Sequence, residues 1–433
     1  MYTSMMRRAL FGSGDTATLA LDFTTGTMPT AVTFTRADTT ARATYIDASG
    51  YVKTVASAGD PRFDYTGGAA RGLLVEAEAT NYMLQSTTLD PHSVNGMRAI
   101  STASITDPEG TTNKARIVAA DSSTSFHARF LSTTAGTNTT ITVSIFAKKN
   151  GYKYLYFADL ASGRSAVRFD LDDGTTSNSG GVGFASAKAT QQAEGWWRCS
   201  MVVNVTASTG YAWSYVGVPS TGATLGIYGA SYNGTNTDSD GIYCYGFQVE
   251  AGSVASSLIK TTTAALTRLA DDAVIRSTAW TGLYSKPGTI VVEYYRGEYG
   301  AGDRSVLGID TAATKHIHLK HVNASAGSGV YNSAGLAVCA KLGGNVTGLN
   351  KAAFNWTSAN PSNIKYALNG NATVVSGTSD IGATLGTWMT IGSASTTGVS
   401  GSGAWEGYLN NSIKSVKYYS ELLSDAEMIA KTT

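Results

Sequence analysis

The chain has 433 residues, only 15% of them charged, and a formal net charge of +1, which gives it no general electrostatic attraction to nucleic acid or to an anionic membrane surface. No segment approaches the roughly 20 consecutive apolar residues that a helix needs to cross a bilayer, so membrane insertion is not expected. The length predicts two or three domains, and 48 glycines, 23 tyrosines and abundant Thr, Ser and Ala predict short strands joined by tight turns, an all-β fold with few helices.

Met1 to Thr18 is a short polar and basic arm without an apolar run of secretory length, so folding in the cytosol that made it is expected. Such an arm frays unless it is held by a neighbouring subunit, by a larger assembly or along its own domain. Brief strand-like pieces follow between Leu19 and Tyr65 (LALDF, AVTFTRA, ATYID, YVKTV), separated by turn residues such as Ala48-Ser49-Gly50 and Gly59-Asp60-Pro61. Two distinctive words come next, Pro61-Arg62-Phe63-Asp64-Tyr65 and the run Arg71 to Asn81, RGLLVEAEATN. Within that run Leu73-Leu74-Val75-Glu76-Ala77 is echoed by Phe247-Gln248-Val249-Glu250-Ala251, and the pair reads as the first and last strands of one sandwich. After Glu250 a Ser/Thr/Ala-rich run to Ile275 has too little apolar bulk for a core element and reads as an ordered connector.

The next unit opens at Pro287 with a turn and an apolar run to Tyr295. It closes over Gly407 to Tyr419, where Leu409, Ile413 and Tyr419 can all face inward only if a bulge or turn shifts the phase. Ser424-Asp425-Ala426-Glu427 then predicts a helix start by a capping box. Cys199, Cys244 and Cys339 are odd in number, widely spaced and set among apolar residues, which favours buried thiols over a disulfide framework.

Phe34-Thr35-Arg36-Ala37, Ala43-Thr44-Tyr45-Ile46-Asp47, the two words above, Gly195-Trp196-Trp197-Arg198-Cys199-Ser200 and Gly246 to Ser253 together resemble a module of bacteriophage virion appendages. These are head fibres or spikes, decoration proteins and tail fibres, in which such a series leads into a carbohydrate-binding-like jelly roll. The ending from Gly407 through Leu-Ser-Asp-Ala-Glu looks like that of concanavalin A-like lectin and laminin G-like sandwiches. The resemblance implies an arm and virion-attachment region over 1–70, a jelly-roll sandwich over 71–260, a linker over 261–286 and a concanavalin A-like sandwich with a short C-terminal helix over 287–433. It implies a structural protein on the virion surface that docks on capsid or tail proteins through its N-terminal region. Homo-oligomers, trimers foremost, and weak multivalent binding of host surface glycans follow from the same resemblance. A tail-borne receptor-binding protein and a glycan-cleaving enzyme are the alternatives.

No catalytic residue stands out. The Glu-x-Asp-x-Glu strand typical of glycan-cleaving concanavalin A-like enzymes is absent, and Glu293 and Glu298 would point to opposite faces of an uninterrupted strand. There is no Gly-x-Ser-x-Gly elbow, and no Gly-rich phosphate loop or basic-aromatic array that would suggest nucleotide or nucleic acid. His316 and His318 share one face of a strand and can share a metal, although a polar outer face is the simpler account. Asp172 and Asp240 sit in Asp- and Gly-rich stretches that could hold a structural calcium, yet each reads first as a turn; otherwise no cofactor is expected. In Tyr211 to Tyr215 the aromatic side reads as core. Tyr152, Tyr154 and Tyr156 alternate with Leu155 and Phe157, so with the latter in the core the three rings form a candidate sugar-stacking platform or subunit contact. Plain surface tyrosines or a second packed layer are the alternatives.

Overall fold

The computed structural model describes residues 16–89, 93–133, 140–160, 165–205, 211–275, 288–297, 304–311, 315–322, 327–331, 337–341, 347–356, 364–371, 375–376, 388–393 and 407–433. Its regular structure is antiparallel strand throughout, with one α-helix among the described residues, Asp425–Thr432. The all-β expectation and the short C-terminal helix are met. No helix among the described residues is long and apolar enough to cross a membrane.

Two compact units emerge. One is the stretch Phe34–Asp272, and the other joins the described part of 1–33 to 273–297 and 303–433. The N-terminal region expected over 1–70 is therefore divided. Leu19–Asp22 pairs antiparallel with Asn411–Tyr419, Leu19 opposite Tyr418 and Asp22 opposite Ser415, so its backbone groups are satisfied by the last strand of the chain. Residues from Phe34 onward belong to the other unit, and 1–15 lie outside the described residues.

In the first unit two sheets face each other. One runs in the order Phe184–Gln191, Trp197–Asn204, Thr140–Asn150, Gly241–Ala251, Arg116–Ala119 and Ser101–Thr102. Facing it are Thr176–Gly180, Ala166–Asp170, Tyr154–Asp159, Tyr211–Val218 and Phe126–Thr133, the last paired also with Ser93–Asn95 and Ala230–Ser231. Period-two alternation turns Ile141, Val143 and Ile145 inward from one sheet and Leu155, Phe157, Trp213 and Tyr215 from the other, all fully buried. Phe247 sits at the centre, edge-on to Phe157 with ring centroids 5.5 Å apart. Burying each such side chain contributes about 1.5–3 kcal/mol.

A bulge makes this possible on the closing strand. Register slips between Ser144 and Phe146, where Gly246 takes φ +62°, so Phe247 and Cys244 both reach the core although they are three residues apart. Asn81 ties the connector to that strand, accepting from the Val249 amide at 3.0 Å and donating to the Ile259 carbonyl at 2.8 Å. The run after Glu250 is thus built into the first unit rather than spanning freely, and its strand Leu266–Arg268 pairs with Ala79–Asn81.

In the second unit one sheet orders Val375–Ser376, Lys365–Leu368, Gly348–Trp356, Gly288–Arg296 and Asn411–Tyr419, with Leu19–Asp22 beyond. The phase shift predicted near Ile413 is present: Glu293 lies opposite Ser415 but Tyr294 opposite Ile413, leaving Lys414 as the extra residue. Ile413, Val416 and Tyr418 are buried together with Ile290, Val292 and Tyr294 across the register. Tyr419 is buried too, but against Val291, Ala353 and the helix residue Met428. Ser424 caps that helix as expected: its hydroxyl accepts from the Glu427 amide, and the Glu427 carboxylate accepts from the Ser424 amide at 2.8 Å. A second sheet orders Trp388–Ile391, Arg304–Thr311, Lys315–Val322, Gly327–Tyr331 and Ala337–Lys341.

Candidate functional site

The words that carry the resemblance converge on one buried ionic cluster. Arg62, fully buried, donates to Glu76 at 2.6 Å, to the Ser257 hydroxyl at 2.7 Å and to the Thr44 carbonyl at 2.9 Å, and its other Nη donates to Asp271. Asp271 also accepts from Arg36 and from the Glu76 amide, both at 2.9 Å, while Arg36 pairs with Asp38 at 3.2 Å and Arg268 lies 3.5 Å from Glu76. Three guanidinium groups thus meet three carboxylates, the balance that buried charge requires. Burial alone would raise the Glu76 carboxyl, but the Arg62 and Arg268 charges and the Ser257 hydrogen bonds bring it down to about 2. Burial pulls the Arg62 guanidinium the other way, and Asp271 and Glu76 outweigh it, so it is pushed up.

The echoed glutamate behaves differently. Glu250 is equally buried, and its carboxyl rises because burial outweighs hydrogen bonds from Ser256 and Gln248. The shared Val-Glu-Ala word therefore encodes an ion-paired carboxylate in one place and a hydrogen-bonded one in the other. Sequence reasoning missed this cluster, whose only signal was the concentration of arginines and carboxylates in the motif words of a weakly charged chain.

The tyrosine strand departs from expectation. Leu155 and Phe157 face the core as predicted, but Tyr152 and Tyr156 are only 6% and 4% exposed. Tyr156 donates to the Gly226 carbonyl at 2.8 Å, and Tyr152 meets Tyr232 edge-on at 5.4 Å. Ala223 and Leu225, from the segment that forms the hairpin Thr224–Leu225 and Ala230–Ser231, pack against the same cluster. The open three-ring platform is thus corrected to a second packed layer: a strand central in its sheet, with a hairpin laid over its outer side, buries both faces. Tyr154 stays half-buried, with the Arg168 guanidinium 4.2 Å from its ring centroid. Trp213 and Tyr215 are core residues, as read from the sequence.

Asp172 is held by Lys149 at 2.8 Å and Lys153 at 3.7 Å, and the Lys149 hydrogen bond keeps its carboxyl below the usual range. Asp240 accepts from Thr235 at 2.7 Å, and its neighbour Asp238 pairs with Arg98 at 3.1 Å. Among the described residues no three His, Cys, Asp or Glu side chains gather as a metal site. His318, Lys320 and His321 are all buried, which corrects the polar outer face expected for Lys315–Val322; the strand lies between two others in its sheet. The side chain of His316 lies outside the described residues, as do Glu298 and the side chain of Cys339. Glu293 lies 3.4 Å from Lys414, the surface pairing of a charged rim. Cys199 and Cys244 are free thiols, and burial pushes both up.

An open pocket of about 240 Å³ lies in the first unit between three loops. Ile46 and Ala48 to Gly50 come from the turn joining Thr44–Ile46 to Val52–Thr54; Gly67 and Gly68 follow Phe63–Asp64; Gln191 to Ala193 end the strand Phe184–Gln191. The Ala193 amide donates to the Gly50 carbonyl, and the Tyr51 hydroxyl donates to Glu194 at 3.1 Å, so the first and third loops hold each other.

No family model and no curated protein matches the chain. Solved structures to which it is similar include the CBM40 module of Ruminococcus gnavus IT-sialidase (21% identity over 36% of this chain and 87% of that chain, TM-score 0.27). A Trypanosoma rangeli sialidase in complex with sialic acid shows 9% identity over 72% and 59%, with a TM-score of 0.28. Mouse laminin alpha1 domains LG4-5 show 12% identity over 79% and 88%, with a TM-score of 0.21, and at such scores the likeness does not bear on what this chain binds.

Proposed function

We propose that this chain is a non-enzymatic bacteriophage appendage of the head-fibre or decoration type, which displays its sandwiches on the particle and binds host glycans weakly through many copies. The observation that supports this reading is the ionic cluster. Chance agreement of short words would give no reason for Arg62 and Glu76 to pair, or for Arg36 and Arg62 to meet on the later Asp271, yet they form one neutralised interior. The words therefore act together as a module, and that module resembles the appendage one.

Burial alone would raise the Glu109 carboxyl, but hydrogen bonds from Lys114, Tyr245 and Lys260 bring it down to about 2, so this one group does not serve as a general acid near neutrality. In this reading the N-terminal region docks on capsid or tail, the chain is a trimer, and avidity over many copies compensates weak single sites.

The test is incubation of the full chain with host surface polysaccharide, together with immunogold labelling of purified particles. Retention without shortening of the polysaccharide, with gold on the particles, is expected. Shortening would overturn the non-enzymatic assignment, absence of retention would overturn glycan binding, and unlabelled particles would overturn the virion assignment.

A further inference from the structure

We propose that Arg168, on the outer face of the sheet that holds Tyr154–Asp159, binds the carboxylate of an acidic sugar residue; this rests on the glycan-binding reading and gives it a ligand class and a location. Arg168 lies opposite Tyr156 in the pairing of Ala166–Asp170 with Tyr154–Asp159, so it shares the outer face with Tyr154 and Tyr156. Leu155 and Phe157 take the core side of the same strand. On its other side Arg168 faces Ser177 of the edge strand Thr176–Gly180.

The guanidinium is held in place yet has no counter-charge. Its Nε donates to the Ser177 hydroxyl at 3.0 Å, and its Cζ lies 4.2 Å from the Tyr154 ring centroid. Both Nη groups reach solvent and have no hydrogen-bond acceptor or ion-pair partner among the described residues. The neighbouring charges are already engaged: Lys153 pairs with Asp170 and Lys149 with Asp172, both at 2.8 Å, and Asp173 accepts from the Thr175 hydroxyl at 2.6 Å. A fixed guanidinium with free N–H groups matches the two oxygens of a carboxylate, and because it is oriented beforehand it loses little freedom on pairing.

The surroundings suit a sugar better than a bare anion. Tyr156, the cross-strand neighbour of Arg168, donates to the Gly226 carbonyl at 2.8 Å, which brings the turn of the covering hairpin beside these strands. Ile227 and Tyr228 follow in that turn and are 46% and 38% exposed although both side chains are large and apolar. Apolar surface next to a charged anchor fits a pyranose, whose C–H face covers the one while its carboxylate pairs with the other. Of the three tyrosines expected as a platform only Tyr154 stays accessible, and its part is to hold the guanidinium.

The experiment uses the full chain, ligand-observed NMR with methyl glucuronide, methyl galacturonide, N-acetylneuraminic acid, methyl glucoside and acetate, and retention on host polysaccharide. Binding of at least one acidic sugar is expected, with methyl glucoside and acetate about tenfold weaker or more. Arg168→Gln should weaken the acidic sugar about tenfold, and Arg168→Lys by less, since the charge remains without the planar fork. Thermal unfolding should not change, because the accessible side chain makes a single hydrogen bond. Lys188→Gln, on the other sheet, controls for general charge and should bind like the wild type. If Arg168→Gln fails to fold, Arg168→Lys decides, and unchanged binding in it overturns the assignment. If the wild type binds glycan and Arg168→Gln binds equally well, or Lys188→Gln is weakened as much, the Arg168 site falls and the glycan-binding reading stands. If only methyl glucoside binds, or acetate binds as tightly as the acidic sugars, the acidic-sugar assignment falls. If the wild type binds none of these sugars and retains no host polysaccharide, both readings fall together.

Discussion

Glu76→Gln removes one negative charge from the ionic cluster and leaves Arg62 and Arg268 short of a partner inside the protein. Two estimates of the cost agree. The Glu76 carboxyl falls from 4.5 to about 2 on folding, which at 1.36 kcal/mol per unit is about 3 kcal/mol, and removing one member of a buried ion pair costs about 3–5 kcal/mol. Because the folded value is depressed, this stabilisation is fully present above pH 4.5 and is lost as pH falls from there towards 2. Glu109 adds a smaller loss in the same window, being partly exposed and screened, while burial raises Asp64 and Glu250 and makes them act in the opposite sense. Urea unfolding followed by tryptophan fluorescence, to which buried Trp196 and Trp213 contribute, measures the difference. At pH 7 the variant should be about 3 kcal/mol less stable, and the gap should narrow as the pH is lowered to 3. A gap below about 1 kcal/mol at pH 7, or one that does not change with pH, would refute the assignment of Glu76 as a stabilising buried anion.

Tyr156→Ala should lower the melting temperature on the order of 10 °C, because it removes a buried ring and its bond to Gly226, whereas Tyr156→Phe should cost only about 1 kcal/mol. An unchanged melting temperature in the alanine variant would mean the ring is exposed after all. Ser424→Ala should destabilise the second unit by about 1 kcal/mol in thermal unfolding through loss of the capping box. In a Cys339→Ser background, Cys199 and Cys244 should resist alkylation at pH 8 until urea is added, since burial disfavours both thiolates; rapid labelling of the folded chain would contradict their placement.

What the sequence made legible was local. The capping box at Ser424, the core side of Tyr154–Asp159 and the shifted phase around Ile413 each depend on a few neighbouring residues, and each is found in the structure. What escaped depends on distant partners. Alternation places Tyr156 opposite Leu155 correctly, but it says nothing about a hairpin some seventy residues later that covers the outer face. Glu76 and Glu250 sit in the same Val-Glu-Ala word, and only the arrival of Arg62, Arg268 and Asp271 distinguishes them. The open pocket draws on three separate loops of small residues, each of which reads alone as an ordinary turn.

The pairing of Leu19–Asp22 with Asn411–Tyr419 imposes an order on synthesis. At about 5–20 residues per second, the early strand leaves the ribosome roughly 20–80 s before its partner. During that wait the two facing sheets and the ionic interior, whose strands and side chains lie within Phe34–Asp272, can form. The early strand meanwhile has unpaired amides, and its shortness and terminal Asp22 are features that discourage pairing with a neighbouring nascent chain. A polysome crowded with copies is therefore where this chain is most exposed to mispairing, and a product released before Asn411 keeps Leu19–Asp22 without its partner strand.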